Sequence, residues 1–170
     1  MTKPQEPTPV RGPVPVESVP WREWSHGIRF GGRTQHLSRL FTDDYRVGVV
    51  IEELPPGKQS SPAHYHLTEE EHILMLDGTA TLRLGEQEHV LKSGDYVCFP
   101  AGQAAGHCLV NRGQAACRYL IIGERRPNEV AVYTDSNKLM VRKLGVFDGS
   151  ATRDYWDGER VDEPHEPGTR

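Results

Sequence analysis

The sequence predicts an all-β fold, and three features of its central part support that prediction. From about Gly27 onward, short apolar runs of β-type residues follow one another at close, regular intervals. The clearest breaks between them contain glycine, which allows the positive φ of tight turns; they lie at 55–57, 77–78, 85–86, 93–95, 100–102 and 112–113. No segment shows a long apolar period of ~3.6 residues, so helices between parallel strands are not expected. Closely spaced strands of this kind are typical of a sandwich or a barrel.

The candidate strands follow from these breaks in chain order. Each is rich in β-branched, aromatic or other apolar residues, and each ends at turn residues. They are 27–30, 35–40, 45–54, 63–66, 71–76, 79–84, 88–91, 96–99, 106–111 and 116–122, with 131–133 and 139–143 as two further candidates. A helix is expected only as a short piece around 135–138.

The two ends of the chain differ from this middle part. Six of the 13 prolines lie in the first twenty residues, a composition typical of an extended, flexible arm. The last stretch is polar and interrupted by Gly and Pro. A length of 170 residues suits one domain. We therefore predict a Pro-rich arm at 1–24, a single β-barrel domain at 25–147 and a polar tail at 148–170.

Charge and composition exclude several classes of function. The net charge of −4 and the lack of a basic cluster argue against a nucleic-acid-binding protein. No apolar run resembles a signal peptide or a membrane span. The three cysteines, Cys98, Cys108 and Cys117, form no CxxC motif, which favours a reduced, cytoplasmic protein. No nucleotide-binding glycine loop or Ser-His-Asp arrangement indicates a kinase, dehydrogenase or serine hydrolase.

Four residues of metal-ligand type recur at strand-compatible positions. His64 and His66 are two apart, so on a strand both side chains point to the same face. Glu71 opens the next predicted strand, and a neighbouring antiparallel position would bring its carboxylate to the same point. His107 opens a later strand, which would supply a fourth ligand if it paired beside these two in one sheet.

These stretches resemble the two conserved motifs of the cupin superfamily. The first stretch matches with Gly57, His64, His66, Glu71 and Gly78, and the second with Gly94, Pro100, Gly102, His107 and Asn111. The spacer between Gly57 and His64 is one residue longer than in the family, and four residues rather than two separate Gly102 from His107. Both differences fall in predicted loops, where insertions are well tolerated. The segment 129–142 resembles, more weakly, small cupins of the sugar-phosphate isomerase-like type.

The resemblance implies a jelly-roll barrel with one divalent metal ion held by His64, His66, Glu71 and His107. Glu69 and Glu70 are rivals to Glu71, but only Glu71 is separated from Gly78 by six residues, and it is in phase with Ile73. His72 should point away from the metal. Arg118 and Tyr119 are candidates to line the cavity, although the sequence does not determine which of the two faces inward.

Three imidazoles and a carboxylate leave coordination positions open, unlike a closed structural zinc site. The ligand set suits Fe, Mn, Zn or Ni equally. We therefore expect a mononuclear-metal enzyme of dioxygenase or isomerase/lyase type acting on a small polar molecule, with no general base identified. The alternative is a non-catalytic module that binds or senses a small, sugar-like ligand. A homodimer is expected, because small jelly rolls expose sheet edges and the family commonly pairs.

Overall fold

A computed structural model of the protein describes residues 12–159. The parts of the predicted arm and tail at 1–11 and 160–170 lie outside the described residues. Between them the chain forms strands joined by short turns, and the prediction of an all-β fold is confirmed. The strands are β1 Arg22–His26, β2 Phe30–His36, β3 Val47–Leu54, β4 His64–His66, β5 Glu71–Asp77, β6 Thr79–Leu84, β7 Gln87–Lys92, β8 Tyr96–Phe99, β9 His107–Val110, β10 Cys117–Glu124, β11 Val130–Tyr133, β12 Lys138–Val141 and β13 Gly145–Asp148.

The strands build two antiparallel sheets. The first has the order β1-β2-β3-β10-β5-β8, and the second has the order β13-β12-β11-β4-β9-β6-β7. Consecutive strands often change sheet, as β3 to β4 and β4 to β5 do, which is the connectivity of a jelly roll. Two 3-10 turns, Val16–Ser18 and Ser38–Leu40, supply the only helical turns of the described residues. Accordingly, residues 12–159 contain no helix of the length and apolar character needed to cross a membrane.

The core lies between the two sheets and follows the period-2 alternation of strands. On β10, Cys117 and Tyr119 are fully buried whereas Arg118 is exposed. Burial of a large apolar side chain contributes about 1.5–3 kcal/mol, so this alternation fixes which face of each strand is inward. The residues of the core cluster come from both sheets: Leu54, Ile73, Met75, Ala80, Leu82, Leu91, Phe99, Leu109, Cys117 and Tyr119.

The turn between β5 and β6 requires glycine on two counts. Gly78 has a φ of +73°, which L side chains rarely adopt. A Cβ at this position would also lie 3.0 Å from the Cβ of Cys117 and 3.1 Å from the carbonyl oxygen of Ala116. The hairpin between β5, the strand that begins at Glu71, and β6 therefore depends on Gly78.

The N-terminal segment packs against the first sheet from Val16 onward. Val19 is buried, and the side-chain amide of Gln35 on β2 donates to the carbonyl oxygens of Val16 (3.0 Å) and Val19 (2.6 Å). The first strand begins at Arg22, within the segment that the sequence assigns to the arm. At the other end, β13 pairs with β12 and reaches Asp148.

Candidate metal centre

Three histidines converge on β4 and β9, neighbouring strands in the middle of the second sheet. His64 on β4 and His107 on β9 are direct partners across the strand pair, and His66 lies two residues along β4 on the same face. The ring centroid of His64 lies 5.0 Å from the ring centroid of His66 and 5.0 Å from that of His107. The ring centroids of His66 and His107 are 6.3 Å apart. The pairing of β4 with β9 therefore brings together residues more than forty positions apart in the sequence.

Glu71 completes the group from the opposite sheet. Its Oε1 lies 3.4 Å from Nε2 of His107, and its Oε2 lies 3.8 Å from Nε2 of His66. The expectation that all four residues share one sheet is wrong, because the connection 67–70 carries the chain from β4 in the second sheet to β5 in the first. The carboxylate of Glu71 on the first sheet faces the imidazoles on the second.

The rival carboxylates have other partners. Glu70 lies on the outer side, where its Oε1 is 2.9 Å from Nε2 of His72, and both side chains point away from the histidine group. Glu69 accepts two hydrogen bonds from the Arg142 guanidinium at 2.7 Å each. Its nearest approach to the group is 3.9 Å, to Nδ1 of His66. Among the three glutamates, Glu71 is the one placed against the Nε2 atoms.

His64 is held in the form that a metal ion requires. Burial, together with the neighbouring His107, lowers the pKa of His64 to about 4, so the imidazole is neutral at pH 7. Its Nδ1 lies 2.9 Å from the carbonyl oxygen of Pro62, an acceptor, so Nδ1 carries the proton. The lone pair is therefore on Nε2.

Glu71 is held as a carboxylate. Burial alone would raise its pKa, but the interaction with His107, whose Nε2 lies 3.4 Å from Oε1, together with the nearby His66 and His64, outweighs burial and lowers the pKa below its usual value. The site thus combines a neutral imidazole at His64 with an anionic oxygen ligand at Glu71, both of which are the forms that bind divalent cations.

His107 provides the test of whether these residues fit a metal ion. The residue is 3% exposed, and neither ring nitrogen has a partner within hydrogen-bonding geometry. The ring is clamped by Phe99, which stacks on it with centroids 3.7 Å apart and an interplanar angle of 3°. A buried imidazole without a partner is unfavourable. A cation bound at Nε2, beside the Glu71 carboxylate, would satisfy the imidazole, so the donor set fits.

Glu129 orients His66 from behind. This residue has no exposure, and its Oε1 lies 3.2 Å from Nδ1 of His66. Its carboxylate also accepts from the backbone N–H groups of Leu67 and Thr68, at 3.0 Å each, and from the Thr68 hydroxyl. A carboxylate on the remote nitrogen of a histidine fixes the tautomer and directs Nε2 toward the metal. No sequence pattern linked Glu129 to His66, because the two are 63 residues apart.

Two other groups of ligand-type residues are explained by their hydrogen bonds. His66, Glu69 and Glu129 lie close enough to share a cation, but both carboxylates are already occupied by backbone N–H groups, Thr68 and Arg142. On the outer side, Glu70, His72 and Cys98 also lie together. There the two ring nitrogens of His72 contact Glu70 and the Tyr96 hydroxyl (2.6 Å). In both groups the imidazole nitrogens that face the other members already have partners, Glu129 for Nδ1 of His66 and Glu70 and Tyr96 for His72.

A small cavity of about 140 Å³ adjoins the histidine group. His64 and His107 line it from the second sheet, and Glu52, Glu71 and Tyr119 line it from the first. Tyr119 therefore faces inward, whereas Arg118 points outward and pairs with Glu53 at 3.1 Å. This answers the question that the sequence left open about these two residues.

The two sheets with jelly-roll connectivity and the His-x-His strand β4 agree with the cupin-like motifs of the sequence. In agreement, residues 50–123 match the family model described as a Cupin domain, so this chain carries a cupin domain. A solved sugar phosphate isomerase from a cupin superfamily, from Silicibacter pomeroyi, is 28% identical with a TM-score of 0.71, covering 89% of this chain and 98% of that chain.

Two further solved structures are similar. A proposed sugar phosphate isomerase from Acidithiobacillus ferrooxidans is 27% identical with a TM-score of 0.70, covering 78% of this chain and 86% of that chain. A predicted oxalate decarboxylase from Thermotoga maritima shares the fold at 20% identity and a TM-score of 0.58, over 68% of this chain and 100% of that chain. No curated protein sequence matches the chain.

Proposed function

We propose that His64, His66, Glu71 and His107 bind one divalent metal ion, Fe, Mn, Zn or Ni, and that the protein is a mononuclear-metal enzyme acting on a small polar molecule. The observation that carries the proposal is His107, a buried imidazole without a hydrogen-bonding partner that faces the carboxylate of Glu71. An ion with these ligands would supply Lewis acidity and open positions for substrate oxygens.

The chain's own residues support this chemistry in three ways. Glu129 and the Pro62 carbonyl hold the imidazoles of His66 and His64 with their Nε2 atoms directed inward. Phe99 stacks on His107, which is buried, and so fixes the orientation of its ring. The adjoining cavity accepts only a small substrate or the reacting end of a larger one. Isomerase-type chemistry is favoured over dioxygenase chemistry, since the two neighbours at 27% and 28% identity carry sugar phosphate isomerase names.

Metal analysis of purified variants tests the site. We expect about one equivalent of divalent metal in the wild-type protein, and at least about a tenfold loss of affinity in His66→Ala and in His107→Ala, since each removes one ligand. His89→Ala is the matched control, because His89 is an exposed histidine on β7. Circular dichroism would establish that each variant is folded. Unchanged metal affinity in both ligand variants would refute the proposed site.

Turnover assays then separate the classes of function. The metal-loaded protein would be incubated with small hydroxyaldehydes and hydroxyketones, with product formation followed by NMR and oxygen uptake by electrode. Isomer formation without oxygen uptake supports the isomerase proposal. Oxygen consumption under Fe(II) would instead indicate a dioxygenase, and tight binding without turnover under every metal would indicate a ligand-sensing module.

A homodimer formed through the outer face of the first sheet is part of the proposal. Leu74, Leu76, Tyr96 and Ile122 share this face and are 37%, 40%, 60% and 37% exposed. A contiguous apolar surface of this kind on a sheet is typical of an interface. The cytoplasm is the proposed location, because Cys98, Cys108 and Cys117 are all unpaired thiols.

Charge substitution on that face is expected to yield a monomer. Leu74→Glu combined with Ile122→Glu would place two carboxylates in an apolar interface, where they lack partners. Sedimentation velocity would show the wild-type protein as a dimer and the double variant as a monomer. Val90→Glu is the control, since Val90 is 73% exposed on β7 of the other sheet and should leave the dimer intact. A wild-type monomer would overturn the proposal.

A further inference from the structure

Two polar side chains lie buried at the side of the cavity opposite the histidines. Glu52 on β3 and Tyr119 on β10 are direct partners across the strand pair, and they are 6% and 0% exposed. Neither Oε1 of Glu52 nor the hydroxyl of Tyr119 makes a hydrogen bond of acceptable geometry within the described residues. Buried polar groups are almost always paired, so two unpaired groups beside the same cavity require an explanation.

The fold makes room for this carboxyl group. On the neighbouring strand β2, a Cβ at position 32 would lie 3.3 Å from Oε1 of Glu52 and 2.8 Å from the carbonyl oxygen of Glu53. Gly32 therefore leaves space that a larger residue would occupy. Ser60, which also lines the cavity, accepts from the backbone N–H of Leu109 at 3.0 Å, and its hydroxyl lies near that of Tyr119 without a hydrogen bond of good geometry between them. Oε1 of Glu52 and the Tyr119 hydroxyl have only poorly aligned protein neighbours, so a molecule inside the cavity that offers better hydrogen-bonding geometry can bind them.

The shape and chemistry of the cavity restrict that molecule. A volume of about 140 Å³ corresponds to about four or five water molecules at ~30 Å³ each. Part of its lining is apolar, including Ile73, Leu82 and Leu109, so a bound molecule is recognised by hydrogen bonds to the polar side chains that also line it. A carboxylate oxygen accepts hydrogen bonds and a phenol donates one. A hydroxyl group satisfies both at once, whereas a carbonyl oxygen only accepts and a methyl group does neither.

We infer that Glu52 and Tyr119 form a second polar subsite that binds a hydroxyl group of the substrate, and that the substrate is a small hydroxycarbonyl compound whose carbonyl end lies toward His64, Glu71 and His107. This inference rests on the proposed function and names the class of molecule that the site takes. Tyr119 donates to the hydroxyl oxygen, and Glu52 accepts the hydroxyl proton in a hydrogen bond. The raised pKa of Glu52, caused first by burial, agrees with a carboxyl group that lacks compensation in the free protein.

A matched pair of probes tests the subsite. Hydroxyacetone and 2-butanone have the same number of heavy atoms and differ in a hydroxyl in place of a methyl group. Dissociation constants would be measured by NMR titration of the zinc-loaded protein. Wild type is expected to bind hydroxyacetone at least about tenfold more tightly, because a site built for a hydroxyl rejects the analogue that lacks it. In Tyr119→Phe and in Glu52→Met the preference is expected to fall below about threefold.

Glu53→Gln is the control, since Glu53 is the next residue on β3, points to the outer face and pairs with Arg33 at 2.8 Å. It should retain the full preference. Equal binding of the two probes by the wild type, no binding of either, or a preference that survives in both variants would overturn the inference.

Metal content and a repeat of the titration on chelator-treated protein separate this inference from the metal proposal. Loss of the hydroxyl preference in the two variants, with unchanged metal content, supports the subsite. If the wild type bound no metal but kept a preference that the variants lose, the metal proposal would fail and the subsite would stand. If metal bound at His66 and His107 and the wild type showed no hydroxyl preference, the subsite would fail and the metal proposal would stand.

Discussion

Replacing Glu129 with alanine is expected to lower the free energy of unfolding by about 3–5 kcal/mol and to weaken metal binding by about 10–100-fold. The carboxylate is wholly buried and serves four donors: Nδ1 of His66, the N–H groups of Leu67 and Thr68, and the Thr68 hydroxyl. The alanine variant would leave these donors unpaired in the connection between β4 and β5, and it would free the His66 ring to rotate.

Urea denaturation and metal titration measure the two effects separately. Glu129→Gln is the matched control, because its amide oxygen still accepts hydrogen bonds while its NH₂ group cannot. We expect this variant to lose about 1–2 kcal/mol, less than the alanine variant. An alanine variant that unfolds within about 1 kcal/mol of wild type and binds metal equally well would show that Glu129 is not a positioning residue.

The part of the candidate site that could be predicted from the sequence is the part that depends on the alternation of side chains along single strands. His64 and His66 lie on one face because strand side chains alternate, and that holds in any sheet. Phase with Ile73 distinguishes Glu71 from Glu70, and the two side chains do point in opposite directions at the start of β5. Choices of this kind need only neighbouring residues, and they agree with the placement in the structure.

Contacts between residues on different strands could not be predicted from alternation along one strand. The sheet to which Glu71 belongs depends on which strands pair, and alternation is identical in either sheet. Glu129 contacts His66 across 63 residues with no shared motif. The inward direction of Tyr119 followed only once its partner Glu52 on β3 was known. Such contacts are set by strand register, which a single sequence specifies only weakly.

The N-terminal strands show a different limit. The predicted strand at 27–30 is largely a turn that joins β1 to β2, with Gly27 at a φ of +59°. The first strand, Arg22–His26, has only half-buried or exposed residues and so carries no apolar alternation to detect. Similarly, the expected helical piece at 135–138 is a hairpin turn with Asn137 at a φ of +46°. Polar edge strands and turns are where pattern-based prediction is weakest.

Glu52→Gln is expected to stabilise the metal-free protein at neutral and higher pH. Burial first, with the nearby Glu71 adding to it and the Tyr119 hydroxyl opposing it, raises the pKa of Glu52 from 4.5 to about 7. Because the native pKa exceeds the unfolded one, the native state binds this proton more tightly. The resulting stability is fully present below about pH 4.5 and is lost as pH rises to about 7. A difference of about 2.5 units corresponds to about 3 kcal/mol.

The informative quantity is the difference in unfolding free energy between Glu52→Gln and wild type, measured in urea from about pH 4 to about pH 8 with a chelator present. It should rise by about 3 kcal/mol over that range. The lowered pKa of His64 gives stability that is lost as pH falls below about 6.5, but this contribution is common to both proteins and cancels. A bound cation beside Glu71 would favour ionised Glu52, so metal loading should reduce the rise. A difference that does not change with pH would mean that Glu52 titrates as an ordinary, solvated carboxyl group.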